Sequence, residues 1–209
     1  MANANRVNGF TPVGYLNGAD WDSRGRVYAI STAVTNAIGV GDAVKLVAGA
    51  DSSYYLPCID LGAASGALIG VVLAISKNPK GLGPWVDPTQ LNNILYKPAG
   101  AQAVQYYALV ADDPMIVFEG QDYAAAGAGA PFSYTAATKN VNLNTLGAPA
   151  APSYLSQMFL DNGTAAAANA TYNFQLLGLK QSIDNAPGNY QRWWFRINNH
   201  YWNAGVAGV

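Results

Sequence analysis

The stretch Leu68-Ile-Gly-Val-Val-Leu-Ala-Ile75 decides how the fold is interpreted. It is uncharged and rich in β-branched residues, which is typical of a buried strand. The uncharged run around it, residues 61–76, could be mistaken for a membrane span, because Gly62, Gly66 and Gly70 have the spacing of membrane helix-dimer motifs. That run is shorter than the ~20 residues a span needs, and each glycine would cost a water-soluble helix about 1 kcal/mol relative to Ala. We therefore predict a core strand and no membrane partner.

Short segments of similar character recur on both sides of this stretch. Period-two alternation or β-branched residues predict further strands over residues 26–31, 43–47, 54–59, 106–110, 115–118, 172–180 and 190–198. Turn formers separate these segments, and no amphipathic helix of about ten residues and no internal repeat is visible. Short strands at such spacings predict an all-β fold: a jelly roll, or a small β-barrel or sandwich.

Two regions stand apart from the predicted strands. Residues 1–26 contain turn formers at short intervals and are predicted to form an extended N-terminal arm. Residues 27–209 are predicted to form a single β-rich domain. Within it, residues 124–170 combine Ala runs with interrupting Gly and Pro, which predicts a loop-rich insertion.

The charge balance excludes several classes of partner. The chain has 209 residues, with 11 Lys plus Arg against 12 Asp plus Glu, so its net charge is −1. Charged residues make up 11% of the chain, against roughly 25% in an average soluble domain. A nearly neutral chain lacks the positive surface that nucleic acid or an anionic membrane attracts. It also lacks the repulsion that keeps copies of a protein apart. We expect no nucleic-acid partner and close packing between copies.

Few residues are suited to catalysis or to metal binding. The chain has one His (His200), one Cys (Cys58) and one Glu (Glu119). A zinc site needs three or four ligands, and any Ser-His-Asp triad would have to use His200. Asp112 and Asp113 precede a proline, which is an ordinary turn signature. We therefore predict that the protein is not an enzyme and has no metal or cofactor. The polar N-terminus has no apolar signal core, so we also expect no secretion.

The most unusual local composition is Tyr190-Gln-Arg-Trp-Trp-Phe-Arg-Ile-Asn-Asn-His-Tyr-Trp202. Alternate residues of a strand share one face. The core face is predicted to contain Trp193, Phe195 and Ile197. The opposite face is predicted to contain Arg192, Trp194 and Arg196.

An aromatic residue between two cations suits three functions. It can stack on single-stranded nucleic acid, bind sugar rings, or form a protein interface, where Trp and Arg dominate the binding energy. The net charge argues against the first function, and a core strand with a solvated outer face is the plain alternative. We predict a protein interface at Arg192, Trp194 and Arg196. Trp21, in the predicted arm, and Trp85, in a Gly- and Pro-rich loop, are further candidate interface residues.

Several motifs occur together in one order along the chain. They are Gly9-Phe-Thr-Pro-Val13, Leu16-Asn-Gly18, Gly41-Asp-Ala-Val44, Gly70-Val-Val72, Tyr107-Ala-Leu-Val-Ala-Asp-Asp-Pro114, Phe118-Glu119, Leu177-Gly-Leu179 and Trp194-Phe-Arg-Ile-Asn-Asn-His200. With these motifs the sequence resembles the capsid decoration, or cement, proteins of tailed bacteriophage heads. Residues 124–170 do not take part in the resemblance.

The resemblance implies a β-rich, non-enzymatic virion protein. Such a protein would be made in the host cytoplasm, bind the major capsid protein on the outside of the shell and stabilise it. It would sit there beside copies of itself, as a homodimer or homotrimer. The alternative is a carbohydrate-binding β-sandwich module of a head or tail fibre. The Trp and Tyr content favours that alternative, but the sequence shows no clustered acidic partners for sugar hydroxyls.

Overall fold

The computed structural model describes residues 3–82, 93–123, 129–149, 151–203, 205 and 207–208. The strands in this part of the chain are β1 (Thr11–Tyr15), β2 (Arg26–Ile30), β3 (Ile38–Gly39), β4 (Ala43–Ala50), β5 (Pro57–Leu61), β6 (Gly70–Ser76), β7 (Asn93–Ile94), β8 (Tyr96–Lys97), β9 (Tyr106–Ala111), β10 (Ile116–Tyr123), β11 (Asn140–Val141), β12 (Leu143–Thr145), β13 (Met158–Asp161), β14 (Phe174–Leu179) and β15 (Arg192–Ile197). Helical structure among the described residues is limited to two 3-10 turns, Pro79–Gly81 and Tyr134–Ala136. The predicted all-β class is confirmed.

Five strands close into a small barrel. Their order is β4-β5-β2-β9-β6, and β6 returns to pair with β4, where Gly70 lies opposite Val44. The predicted strand at residues 68–75 is confirmed as β6, which is buried along most of its length. The barrel interior is filled by almost fully buried side chains, including Ile30, Val44, Ile59, Ile69, Val72, Ile75 and Val110. A closed ring leaves few unpaired strand edges open to another chain.

A second sheet is nearly closed. Its order is β11-β14-β15-β10-β13-β12, and β1 also pairs with β10. Asn142 alone separates β11 from β12, so the two ends of this order are joined by one residue. Phe10, Phe174 and Phe195 meet at the centre, with ring centroids 4.6 to 5.2 Å apart. Aromatic contacts of this kind add stability beyond the area they bury.

The two sheets share one apolar core. The cluster inside the second sheet also includes buried residues of the barrel strands and of the segment before β6, namely Ala43, Leu68, Val71 and Ala111. The predicted strands at residues 106–110 and 115–118 correspond to β9 and β10, and they belong to different sheets. The chain therefore passes from the barrel to the second sheet at residues 112–115.

The N-terminal arm is shorter in the structure than the sequence predicts. Phe10 is 2% exposed, and β1 pairs with β10, so the chain from Phe10 onward is part of the folded body. Burial of the Phe10 ring among other aromatic rings outweighs the turn formers around it. Nearer the N-terminus, the Asn3 side chain donates to the carbonyl of Ala186 at 2.7 Å and accepts from its N–H at 2.9 Å.

The predicted insertion also contains structure. In its described part lie β11, β12 and β13, and their core side chains include Val141, Leu143, Phe159 and Leu160. Each of these strands is two to four residues long. Such short strands are hard to recognise, because alternation needs at least about four residues to stand out. No helix within the described ranges has the length and apolar composition to cross a membrane.

Candidate functional site: an aromatic and basic face beside an acidic cleft

The two faces of β15 have the predicted composition. Trp193, Phe195 and Ile197 are at most 3% exposed and lie in the core. On the other face Trp194 is 37% exposed, and Arg192 and Arg196 are half-buried on either side of it. The side-chain alternation predicted for this strand is confirmed. That this face is an interface stays a prediction.

The cations on this face are held by polar partners. Glu119 of β10 lies opposite Trp194 in the sheet register. Its carboxylate accepts from Arg192 at 3.1 Å and from Lys180 at 2.9 Å. Arg196 donates from Nε to the Gln175 Oε1 at 2.9 Å. Side chains that are already ordered lose less conformational entropy when they bind a partner.

We call this surface the basic face and define it as Glu119, Gln175, Lys180, Arg192, Trp194 and Arg196. It has three cations and one anion, so its net charge is +2. On β14, Gly178 lies opposite Trp194. A Cβ at Gly178 would meet no atom within 4 Å, so this position leaves open space next to the tryptophan.

The two other candidate interface residues are not among those that define the basic face. Trp21 is half-buried and packs against the apolar core, and its buried indole Nε1 has no hydrogen-bond partner among the described residues. Trp85 lies outside the described residues. The interface prediction therefore rests on the three residues of β15.

Sequence reasoning missed a cleft of about 630 Å³ next to β1. One wall is the connection from β1 to β2, and the other is the connection from β9 to β10. We call it the acidic cleft. Its charged lining residues are Asp20, Asp22, Arg24, Arg26, Asp112 and Asp113. Four carboxylates and two guanidinium groups give this lining a net charge of −2.

Asp22 is the outer of two ion-paired carboxylates in the cleft. It accepts from the Tyr15 hydroxyl at 2.8 Å and pairs with the Arg24 Nε at 2.8 Å. The hydrogen bond from Tyr15, the main cause, lowers the pKa of Asp22. Both groups are largely exposed to solvent, so this pair contributes little to stability.

Asp112 is the inner carboxylate and is 7% exposed. Its Oδ2 accepts from the Tyr28 hydroxyl at 2.7 Å and lies 3.4 Å from the Arg26 Nε. Burial, together with the hydrogen bond to Asp112, raises the pKa of Tyr28. No described residue donates a hydrogen bond to the Asp112 Oδ1. This oxygen is not among the buried atoms without a partner, so the remaining exposure of Asp112 leaves it open to a donor from solvent or from another chain.

The cleft could not be found from sequence because its two walls are far apart in the chain. Asp20 and Asp22 come from the lead-in to β2, whereas Asp112 and Asp113 follow β9. The pairing of Arg26 with Val110 brings them together. Each pair of aspartates, taken alone, is an ordinary turn signature.

The single histidine is buried and lies close to the backbone of Asp112, one of the residues of the acidic cleft. His200 is 3% exposed, and its Nδ1 accepts from the Trp202 N–H at 3.0 Å. The carbonyls of Ile69 and Asp112 lie near the imidazole, and its buried Nε2 has no hydrogen bond of normal geometry to a described residue. Burial lowers the pKa of His200. Across the described ranges, no three His, Cys, Asp or Glu side chains are grouped so that they could hold a metal ion.

Comparison of the chain with protein-family models, curated proteins and solved structures finds no match.

Proposed function

We propose that this protein is a structural component of a tailed-phage virion, which binds the outside of the capsid shell and stabilises it without catalysing a reaction. The motifs from Gly9 to His200 suggest the family, and the basic face supplies a surface for contact with another protein. Its partners on the shell are the major capsid protein and copies of the protein itself.

The observation that supports this proposal best is the position of Trp194. Trp194 is 37% exposed and lies between two arginines that are held by polar partners, and Trp and Arg are among the residue types most enriched in protein-interface hot spots. The surrounding sheet is rigid, because the opposite face of the same strand is locked in the core. A preformed surface binds with a smaller loss of entropy than a loop does.

The rest of the fold suits a protein that stiffens a shell. The closed barrel and the nearly closed second sheet leave few strand edges available for unwanted pairing. The net charge of −1 allows copies to lie close together without strong repulsion.

Sedimentation with capsids that lack the protein tests this function. The wild-type chain should pellet with the capsids and raise the temperature at which they break open. Trp194→Ala should weaken binding by about 2 kcal/mol or more, which is roughly thirtyfold. Trp202→Ala is the matched control, because Trp202 is 57% exposed and lies outside the basic face. If the wild-type chain does not pellet with capsids, the proposed function is wrong.

The acidic cleft favours one alternative function, carbohydrate binding by a fibre module. Sugar hydroxyls bind to carboxylates and guanidinium groups in a concave site, and the cleft brings four aspartates and two arginines to one place. A glycan array distinguishes the two functions. Binding of a glycan that Asp113→Asn abolishes would support the alternative, and an array without signal would contradict it.

A further inference from the structure

The basic face and the acidic cleft have opposite charges of equal size, +2 and −2. Strand β1 links them, because Thr11 lies opposite Glu119 of the basic face and Tyr15, four residues later, lines the cleft. One copy of the chain therefore has two complementary surfaces that border the same five-residue strand.

We infer that the basic face of one copy docks on the acidic cleft of a second copy, in a two-fold symmetric dimer. In such a dimer each contact occurs twice, because residue i of one copy meets residue j of the other and the reverse. Two complementary patches on one chain satisfy this condition without any other partner. This inference rests on the proposed function, which supplies the premise that the basic face contacts another protein chain. It identifies that chain as a second copy of the same protein.

The cleft has acceptors that suit the arginines of the basic face. The Asp112 Oδ1 has no donor among the described residues, and the exposed Asp20 carboxylate has no hydrogen bond to any of them either. Arginine presents a planar fork of donors that matches a carboxylate. The cleft volume of about 630 Å³ is within the range of concave binding sites.

The two surfaces also explain how a nearly neutral chain could associate specifically. With a net charge of −1, long-range attraction between copies is absent. Complementary local patches then favour this orientation, because contact between two basic faces or between two acidic clefts would bring like charges together. Tryptophan at the centre of the basic face would be desolvated on docking, while the charged groups around it set the register.

Sedimentation equilibrium of the isolated full-length protein tests the inference through charge reversal. Arg196→Glu places like charges opposite each other twice in a symmetric dimer, and so does Asp20→Arg. Each variant alone should dimerise about a hundredfold more weakly than the wild type. An equimolar mixture should recover a dimer within about tenfold of the wild-type affinity, because each of the two contacts in the mixed dimer then joins opposite charges.

Control measurements make the outcomes distinct. Lys80→Glu reverses an exposed charge on the 3-10 turn beside the barrel and should leave the dimer unchanged. Circular dichroism checks that each variant is folded, and Asp20→Arg changes an exposed side chain even if Arg196→Glu disturbs the sheet. Wild-type dimer affinity should also fall as salt rises from about 0.05 M to about 0.5 M, because exposed charges are screened.

The inference is overturned by a wild-type chain that stays monomeric at high concentration, by variants that dimerise as well as the wild type, or by a mixture that stays monomeric. These results can be distinguished from results that would disprove the proposed function. A chain that dimerises as described and does not bind capsids disproves only the capsid role. A chain that binds capsids while Arg196→Glu leaves its self-association unchanged disproves only the dimer.

Discussion

Trp193 and Trp194 are adjacent in β15 and face opposite ways. Trp193 is 3% exposed and packs edge-to-face on Phe132, with ring centroids 6.1 Å apart, whereas Trp194 is 37% exposed. The two tryptophans have the same side chain and lie on the same strand. Substituting each in turn therefore distinguishes the contribution of the core face to fold stability from the contribution of the outer face to binding. Few pairs of positions in a chain permit such a direct comparison.

We expect Trp193→Ala to lower the free energy of unfolding by about 3–5 kcal/mol, because it leaves a large cavity in the core. Trp194→Ala should lower it by less than about 1 kcal/mol, because the side chain is partly solvated. Urea denaturation followed by circular dichroism measures both. Equal losses for the two variants would mean that the face assignment of β15 is wrong.

A second prediction concerns the buried carboxyl of Asp122, which is 0% exposed. Its Oδ2 accepts from the Phe132 N–H and from the Gln191 Nε2, each at 3.1 Å. Its Oδ1 and the neighbouring Asn162 Oδ1 are both buried and have no hydrogen-bond partner within the described part of the chain. Burial raises the pKa of Asp122 from 3.8 to about 6. The folded protein therefore holds this proton more tightly than the unfolded chain does.

The sign of the pH dependence follows from this shift. The stabilisation by the protonated Asp122 is complete below about pH 3.8 and is lost as the pH rises through about 6. Asp122→Asn removes the titration and offers an amide N–H to the Asn162 Oδ1. We expect this variant to be more stable than the wild type by about 1–3 kcal/mol at pH 8 and nearly equal at pH 4. Thermal melts at both pH values measure this, with the exposed Asp20→Asn as control. A variant that is less stable at pH 8 would contradict the prediction.

The strands whose two ends were predicted to within two residues share one property. In β2, β6, β9, β14 and β15 the apolar or β-branched pattern is carried by five to seven residues, long enough to reveal one or two buried faces. Strand β1 was missed because Pro12 and Gly14 interrupt its pattern, although Phe10 beside it is central to the core. A local sequence pattern predicts burial only within the segment that carries it, whereas Phe10 is buried by residues that are distant in the sequence, such as Phe174 and Phe195.

The candidate site was predicted only in part for a related reason. Half of the residues of the basic face lie on β15, so alternation placed Arg192, Trp194 and Arg196 together. Their partner Glu119 comes from another strand, and the register that sets it opposite Trp194 is a tertiary property. The cleft depends on the pairing of β2 with β9, which no short segment encodes.

A third prediction concerns Lys97, a fully buried cation that forms no ion pair within 4.0 Å with a carboxylate of the described residues. Its Nζ donates to the carbonyls of Val34 at 2.6 Å, Asn36 at 3.0 Å and Gly100 at 3.1 Å. Lys97→Met has a similar length and removes all three donors at once. We expect a loss of about 3 kcal/mol or more in the free energy of unfolding, because buried carbonyls are left unpaired.

Hydrogen exchange tests this prediction at a single backbone amide near Lys97. The Gly100 N–H donates to the Thr35 carbonyl at 2.7 Å, and it should lose protection in Lys97→Met. The control is Lys80→Met, because Lys80 is exposed and its Nζ makes no hydrogen bond to a described residue. If both variants retain wild-type stability and the Gly100 amide stays protected, the three bonds are not important to the fold.

The last prediction concerns Gly70, one of the three glycines with membrane-motif spacing. A Cβ at this position would overlap the carbonyl oxygen of Ala111 on the paired strand β9 and would lie 2.6 Å from the Val110 Cγ1. The glycine is therefore required by the close approach of two strands, and a contact between helices is not needed to explain it. Gly70→Ala should cost about 3 kcal/mol or more, because the obstacle is backbone held in the barrel. Gly178→Ala is the matched control, since a Cβ there meets nothing within 4 Å. Denaturation curves in which the two alanine variants lose equal stability would show that Gly70 does not mark a close contact between β6 and β9.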